Sequence, residues 1–443
     1  DLHKAIRRQR QMCIRDSKNN THFANINYRL TRPEYLQKYT QTKIIVKTRR
    51  GQKTTTTQKG KITETDTQYF FKQNASEISV ATDGFAIAQT FNGVYDGGNN
   101  KISASIISVS ALEERVTAKV PSGDSYSAVE FTKGAGVFKE IGQDAQIKNL
   151  KLAFNLAVDA NLSQNIGADA ALVGGLVFKN LGIVDGITVT SSSVSFASAL
   201  KPSGTLAVAP VVGENKATAR NLVTEADVDI TNNITGVSQN FFYGGLVGFN
   251  NYKKATIRFV KSKNATGATS GHINITFRNN TNGAVGAAGV VICAEDSLVD
   301  MALNTKDITI TANGASAYVG GVVLLGTSAQ LFSCVNTAAI KSSSAAYAGG
   351  IANSFFNSSV DTIVGLGTVN GKIDKLFAAR MTFASNSTSP IAYTYSSYSP
   401  SGSFTPRKIT KDENIPCKNN NKFQIQVKFA STTNFSADIV YIG

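Results

Sequence analysis

The run from Tyr318 to Gly350, YVGGVVLLGTSAQLFSCVNTAAIKSSSAAYAGG, ends on the element with which it begins. That element is a small or apolar residue, two glycines and an aliphatic. It reads Val173-Gly174-Gly175-Leu176, Tyr243-Gly244-Gly245-Leu246-Val247, Val319-Gly320-Gly321-Val322-Val323 and Ala348-Gly349-Gly350-Ile351. Weaker copies stand at Gly134-Ala135-Gly136-Val137 and Ala287-Ala288-Gly289-Val290. Gly320 and Gly349 are 29 residues apart, and Ala288 and Gly320 are 32 apart. A second marker keeps step: Asn304-Thr305-Lys306-Asp307-Ile308 returns 32 residues later as Asn336-Thr337-Ala338-Ala339-Ile340. Two independent markers on one beat define a repeat architecture.

Within the repeat, Tyr318–Leu325 is an apolar stretch, Gly326 to Gln330 a turn, Leu331–Val335 a second apolar run, and Ile340 opens a third. Short β-prone runs separated by Gly, Asn, Ser and Thr predict three strands joined by turns. No window shows sustained helical spacing, so crossover helices are not expected, although parallel strands normally need them. A coil resolves the conflict: each repeat makes one rung, and each strand pairs with its equivalent one repeat away, roughly 4.8 Å along the axis. The expected fold is all-β, a right-handed parallel β-helix solenoid of about 6–7 rungs, a rod on the order of 30–35 Å long at that spacing. Gly174, Gly244, Gly320 and Gly349 should stack at one corner. Ile308 and Ile340 should face inward in contact, as should Val322 and Ile351. An antiparallel sandwich would have no reason to keep a fixed period.

Upstream, Phe91-Asn92-Gly93-Val94-Tyr95-Asp96-Gly97-Gly98-Asn99-Asn100-Lys101-Ile102 is followed by Gly136-Val137-Phe138, Ala145-Gln146-Ile147-Lys148-Asn149-Leu150 and Val173-Gly174-Gly175-Leu176-Val177. This ordered set resembles the F-x-G-x-[FY]-D-G-x4-I, GxFG, I-x-N-L and VGGLVG elements of GLUG-repeat proteins. The resemblance covers roughly residues 80 to 375. It implies a pectin-lyase-like right-handed β-helix and a surface or secreted protein. The chain departs from the pattern in the long stretch from Val177 to Gly244, where Leu206 to Val212 is a degenerate copy without its double glycine.

The net charge of +15 is concentrated at the start of the chain: 16 Lys/Arg and 3 Asp/Glu stand at or before Lys61, which leaves the remainder at +2. Residues 1–61 therefore read as a basic leader lacking a core, expected to be disordered. Its first 17 residues, DLHKAIRRQRQMCIRDS, resemble translated library-adaptor sequence and are expected to be non-native. Residues 62–375 form the repeat domain. Residues 376–443, aromatic- and Pro-punctuated with a strictly alternating Phe423–Phe429, form a cap or partial further β module. No helix-turn-helix, zinc-ligand or aromatic RNA-binding pattern accompanies the basic charge, so no specific nucleic-acid partner is expected.

No apolar stretch approaches the ~18–20 residues that span a bilayer. Cys13, Cys293, Cys334 and Cys417 make neither a disulfide framework nor a metal-ligand spacing. Cys293 and Cys334 read as small buried hydrophobes. Ten Asn-x-Ser/Thr sites, among them Asn233, Asn264, Asn274, Asn279, Asn357 and Asn386, are close to chance in so Asn-, Ser- and Thr-rich a chain. The extracellular or cell-surface expectation rests on the resemblance.

Some parallel β-helices act on polysaccharides, and glycoside hydrolysis needs two carboxyl groups across the scissile bond. The Asn-Thr-Asp, Asp-Asp, Gly-His-Gly and Arg-x-Lys elements of such hydrolases are missing here: Asn304-Thr305 is followed by Lys306, and Gly271-His272 by Ile273. Lyases need acidic residues on one rung face for calcium and a basic residue to take a proton. Asp227 and Asp229 would share a strand face and read as solvated. Asp96 in Tyr-Asp-Gly-Gly and Glu295-Asp296 read as turn residues. His3, His22 and His272 lack a metal-binding partner. No catalytic, cofactor or metal residue is assigned. The function expected is a non-enzymatic, adhesin-like repeat protein, monomeric, binding a glycan or protein ligand along a rung face. The alternative is a polysaccharide lyase or glycoside hydrolase on the same fold.

Overall fold

The structure, a computed structural model, describes residues 69–369 except 199, 201–203, 235–237, 269, 279–282, 344–346 and 367. It also describes the strands 45–49, 52–56, 392–395 and 407–409, and the segment 411–443 except 431–434. The described residues of the leader form an antiparallel hairpin, Ile45–Arg49 with Gln52–Thr56; the first 17 residues, His3, Cys13, His22, Asn279 and Asn386 lie outside the described residues. The chain is nearly all β, with long parallel sheets compatible with a β-helix solenoid. One helix, Ala160–Ile166, stands among the described residues.

One repeat runs Ser316–Gly320, Val323–Thr327, Gln330–Phe332 with Val335–Asn336, then Ile340–Ser342 before Ala348–Gly349 opens the next. The apolar stretch Tyr318–Leu325 is thus two strands rather than one, divided by the double glycine. Parallel pairing joins each strand to its counterpart one repeat on: Gly320 lies opposite Gly349, Val323 opposite Ala352, Leu331 opposite Val360 and Ile308 opposite Ile340. Three parallel sheets result. Sheet I runs in order from Tyr69–Lys72 through Gly93–Asp96, Gln146–Val158 and Ile183–Phe196 to Leu298–Asn304, Val335–Asn336 and Ile363–Gly365. Sheet II holds the strands on both sides of the double-glycine corner, and sheet III is Val228–Asn232, His272–Phe277, Asp307–Ala312 and Ile340–Ser342. The degenerate copy keeps its place, with Leu206 between Ala171 and Phe241.

Close backbone approach, not a left-handed φ, requires the glycines. A Cβ on Gly320 would lie 1.9 Å from the Val323 carbonyl oxygen of its own turn. On Gly321 it would lie 1.9 Å from the Gly350 oxygen, and on Gly245 2.0 Å from the Gly289 oxygen. The first glycine closes the corner; the second admits the backbone of the next repeat.

Inside, Ile273, Ile308 and Ile340 stack in register and are at most 1% exposed. Each such side chain contributes about 1.5–3 kcal/mol. Val322 donates its N–H to the Ile351 carbonyl at 2.9 Å. The Asn-Thr marker also has a structural cause. Asn304 Nδ2 donates to the Lys306 carbonyl two residues on (2.9 Å) and to Asn336 Oδ1 (2.8 Å), so each buried amide closes its own turn and bonds the next. Asn180, Asn215 and Asn250, spaced by 35 residues, form a second ladder at 2.6 and 2.7 Å.

Two pieces outside the repeat cover outward-facing apolar side chains. Ser110–Ser122 turns back antiparallel on the long strand Ser125–Ile141, and its Val116, Ala118 and Val120 lie over Leu172, Phe242, Phe249, Ile292 and Leu324 of sheet II. The hairpin reaches late repeats: Gly123 N–H donates to the Tyr318 hydroxyl (2.7 Å), and Lys119 pairs with Glu295 (2.6 Å). The strands Glu413–Pro416, Phe423–Phe429 and Phe435–Tyr441 form an antiparallel sheet. Its Ile415, Ile425, Val427 and Ile439 pack on Met301, Leu303, Val335 and Val364, on the flank of sheet I.

Ile340→Asp places a charge in the stack and should unfold the repeat region or split its cooperativity; a melting curve like that of the wild type would refute the stacking. Gly321→Ala should cost about 1–3 kcal/mol or more by overpacking, read by denaturant unfolding, because backbone rather than a yielding side chain opposes the new methyl.

Candidate binding face

Strand alternation turns a set of small polar residues outward. On sheet I, Ser79, Ser103, Ala153 and Ser191 make one column and Ala81, Ser105, Asn155 and Ser193 the next. Sheet III continues with Asp229, Asn274, Thr309 and Lys341, and with Thr231, Thr276 and Thr311. Val228–Asn232 packs beside Ile183–Phe196. Their alternate residues Val189, Val194, Val228 and Ile230 enter one core, so both sets of columns look out on the same side. None of these column residues is aromatic. The side chains bond modestly to one another: Asn155 Nδ2 to Ser105 Oγ at 3.3 Å and Asn274 Nδ2 to Asp229 Oδ1 at 3.0 Å.

A charged cluster borders this face. Asp227 and Asp229 are both exposed, as their alternation predicts. Asp227 Oδ1 accepts the His272 backbone N–H at 2.9 Å and lies 3.5 Å from Lys306 Nζ. Asp229 Oδ2 is 2.9 Å from His272 Nε2, and that contact, with Asn274, holds its carboxyl below the usual range. Lys306 is fully buried, with Nζ donating to the Ala226 carbonyl. Burial pushes its ammonium down against the attraction of Asp227. Each carboxylate is turned on a neighbouring nitrogen, Asp227 on Lys306 and Asp229 on His272, rather than across a space for a substrate. The burial of Lys306 follows from its parity with Asn304 and Ile308, a signal the sequence reading did not use.

The other residues singled out in the sequence have structural roles. Asp96 Oδ1 accepts the Gly98 N–H at 3.0 Å, as in a turn. Asp296 has φ 48°, and Glu295 joins the hairpin through Lys119. Cys293, Cys334 and Cys417 are free and buried, and burial raises each thiol. Asn357, with φ 50°, occupies a turn.

A further column was missed. Asn149, Asn221, Phe259, Met301, Ser333 and Thr362 all have φ between 52° and 55°, and Gly186, opposite Asn149, has φ 66°. They bend sheet I at one place in successive repeats. Charged residues stand just before several positions of the column: Asp185, before Gly186, pairs with Arg220 at 2.8 Å, and Arg258 with Asp300 at 2.8 Å. Burial pushes the Asp300 carboxyl up to about 6, with Arg258 opposing.

Among the described residues, no group of three or more His, Cys, Asp and Glu could hold a metal ion, and no helix is long and apolar enough to cross a membrane. No protein-family model, curated protein or solved structure matches the chain.

Lys306 binds fewer protons folded than unfolded, so its contribution to stability should grow as pH rises toward the free lysine value of about 10.4. The unfolding free energy of the wild type, measured against Lys306→Met, should rise as pH climbs toward about 10. Parallel curves would show that the buried lysine does not titrate this way.

Proposed function

We propose that the chain is a right-handed parallel β-helix of the GLUG-repeat, pectin-lyase-like kind, and that it serves as a non-enzymatic, cell-surface or secreted adhesin-like module. Its ligand, a glycan or a protein on a host or neighbouring cell, lies along the outer side of sheets I and III. The observation that carries this reading is the set of columns on sheets I and III, mostly Ser, Ala, Asn and Thr with Asp229 and Lys341 among them. They offer hydroxyl and amide groups at a regular spacing of about 4.8 Å between strands, and small side chains let a ligand approach the sheet. A repeated weak contact gains strength by multivalency. Sheet II, under the hairpin, and the flank of sheet I, under the C-terminal sheet, have their apolar residues already covered.

The polysaccharide-acting alternative would draw on Asp227, Asp229, His272 and Lys306. Glycosidase carboxyl pairs must leave room for a sugar between them, whereas these groups bond to one another and Lys306 is buried.

A glycan-array and cell-binding screen tests the proposal. Ser105→Arg with Ser193→Arg, and separately Thr276→Arg, should lower binding at least tenfold while the protein melts as the wild type; unchanged binding would remove the face from the function. A chain of residues 62–443 should keep that binding and lose retention on heparin, since basic segments hold polyanions by charge alone. Loss of array binding on removing the leader would instead place the ligand there.

A further inference from the structure

The C-terminal antiparallel sheet hides a carboxylate. Asp300 stands in sheet I with its side chain 0% exposed, and its neighbour Met301 packs in the cluster formed with Ile415, Ile425, Val427 and Ile439. Arg258, itself 32% exposed, lies 2.8 Å away and with the Met301 backbone favours the charged form, but burial outweighs both and neither Asp300 oxygen has a well-aligned hydrogen bond. The covering sheet is fastened around this point by polar contacts. Lys418 N–H donates to Ser333 Oγ at 2.8 Å, Lys418 Nζ pairs with Asp361 at 2.8 Å, and Lys261 pairs with Asp438 at 2.7 Å. An ionised carboxylate without aligned donors is costly to bury. The neutral acid is not.

We propose that the C-terminal sheet is a pH-gated clasp on sheet I, tight while the Asp300 side chain is neutral and loosened when that side chain is ionised. The groups facing Asp300 are Arg258 on the preceding strand, Cys334 on the next repeat and Cys417 on the clasp; Lys418 of the clasp is turned on Asp361. A guanidinium keeps its proton in proteins. Burial pushes the Cys417 thiol up to about 11 and the Cys334 thiol up as well, so neither thiol changes charge near neutral pH. Asp300 is the group of this set placed to titrate there, because burial raises its carboxyl to about 6.

The sign follows from proton linkage. A raised carboxyl binds its proton more tightly docked than released, so its contribution to docking is full below the ordinary aspartate range and is lost as pH rises through about 6. With the released carboxyl near 3.9, docking should weaken roughly tenfold between about pH 5 and about pH 7.5. Release would bare Phe259, Met301, Leu303 and Val335, an apolar stripe along the rod. The clasp thereby couples the exposure of that stripe to mild changes of acidity.

Hydrogen exchange on the full chain at the two pH values, corrected for intrinsic chemical exchange, tests the clasp. Amides of Phe423–Phe429 should lose about tenfold in protection at the higher pH, while Ile308 and Ile340 keep theirs. Asp300→Asn should abolish the difference and keep the sheet protected at both values. Equal wild-type protection at the two pH values, or a pH dependence that survives in Asp300→Asn, overturns the proposal. Where Asp300→Asn fails to fold, Asp300→Ser carries the same comparison. A parallel loss at Ile308 and Ile340 would mean global unfolding and also overturns it.

Discussion

Everything in this molecule depends on two backbones meeting at the double-glycine corner. A single methyl at Gly321 would stand 1.9 Å from the next rung's carbonyl oxygen, far inside any permitted contact. Only glycine lets the chain turn between the two halves of sheet II while the following repeat stacks directly upon it. Once that contact is fixed, the register of the rest is fixed with it: Gly320 opposite Gly349 sets Ile308 opposite Ile340 and Asn304 opposite Asn336. The asparagine ladders then reinforce a stacking that the glycines permit, because a buried amide bonded to its neighbour on the next rung leaves few turn carbonyls unpaired.

The same geometry creates a difficulty. Ser316–Gly320 and Val323–Thr327 are mostly apolar on both sides, as in strands buried on both faces. The core enclosed by the sheets fills only one side. Tyr318, Leu324 and Phe249 would otherwise lie bare, and the hairpin Ser110–Ser122 supplies the missing layer. Leu303 and Val335 make the same demand on sheet I, which the C-terminal sheet meets. With sheet II and the flank of sheet I covered, the alternating strands of sheet III and the first half of sheet I carry the polar columns. The proposed binding face is thus where the residues are mostly small and polar and where, among the described residues, no covering sheet packs.

How much of this could be read from the chain depended on whether a feature repeats. Gly320-Gly321 and Asn304-Thr305 recur, and parallel pairing between repeats followed from them. The division of Tyr318–Leu325 did not, since an apolar run gives no sign of where it bends. The hairpin was hidden because Val116, Ala118 and Val120 occur once, and a cover that does not repeat leaves no period. Lys306 looked like a departure from a catalytic motif rather than a buried cation, because charge alone does not report which side of a strand it takes. The left-handed column was unreadable for a similar reason: Asn149 and Asn221 suit that conformation, whereas Phe259 and Met301 give no hint of it.

Those last two positions bear on what the C-terminal sheet does. A left-handed backbone costs a residue with a Cβ roughly 1–2 kcal/mol, and Phe259 and Met301 incur it at adjacent rungs. Neither gains the side-chain hydrogen bonds by which asparagine tolerates such a φ. What they gain is outward projection: the Phe259 ring lies 4.5 Å from that of Phe423, and Met301 enters the cluster with Ile425 and Val427. The bend that sheet I makes at Asn149 and Asn221 is therefore reused at Phe259 and Met301 to present an apolar surface. Packing against the C-terminal sheet offsets the strain, so docking and the local backbone conformation stabilise each other. Where Asp300 adds a buried charge to that same spot, the balance between strain, packing and desolvation is set by one proton.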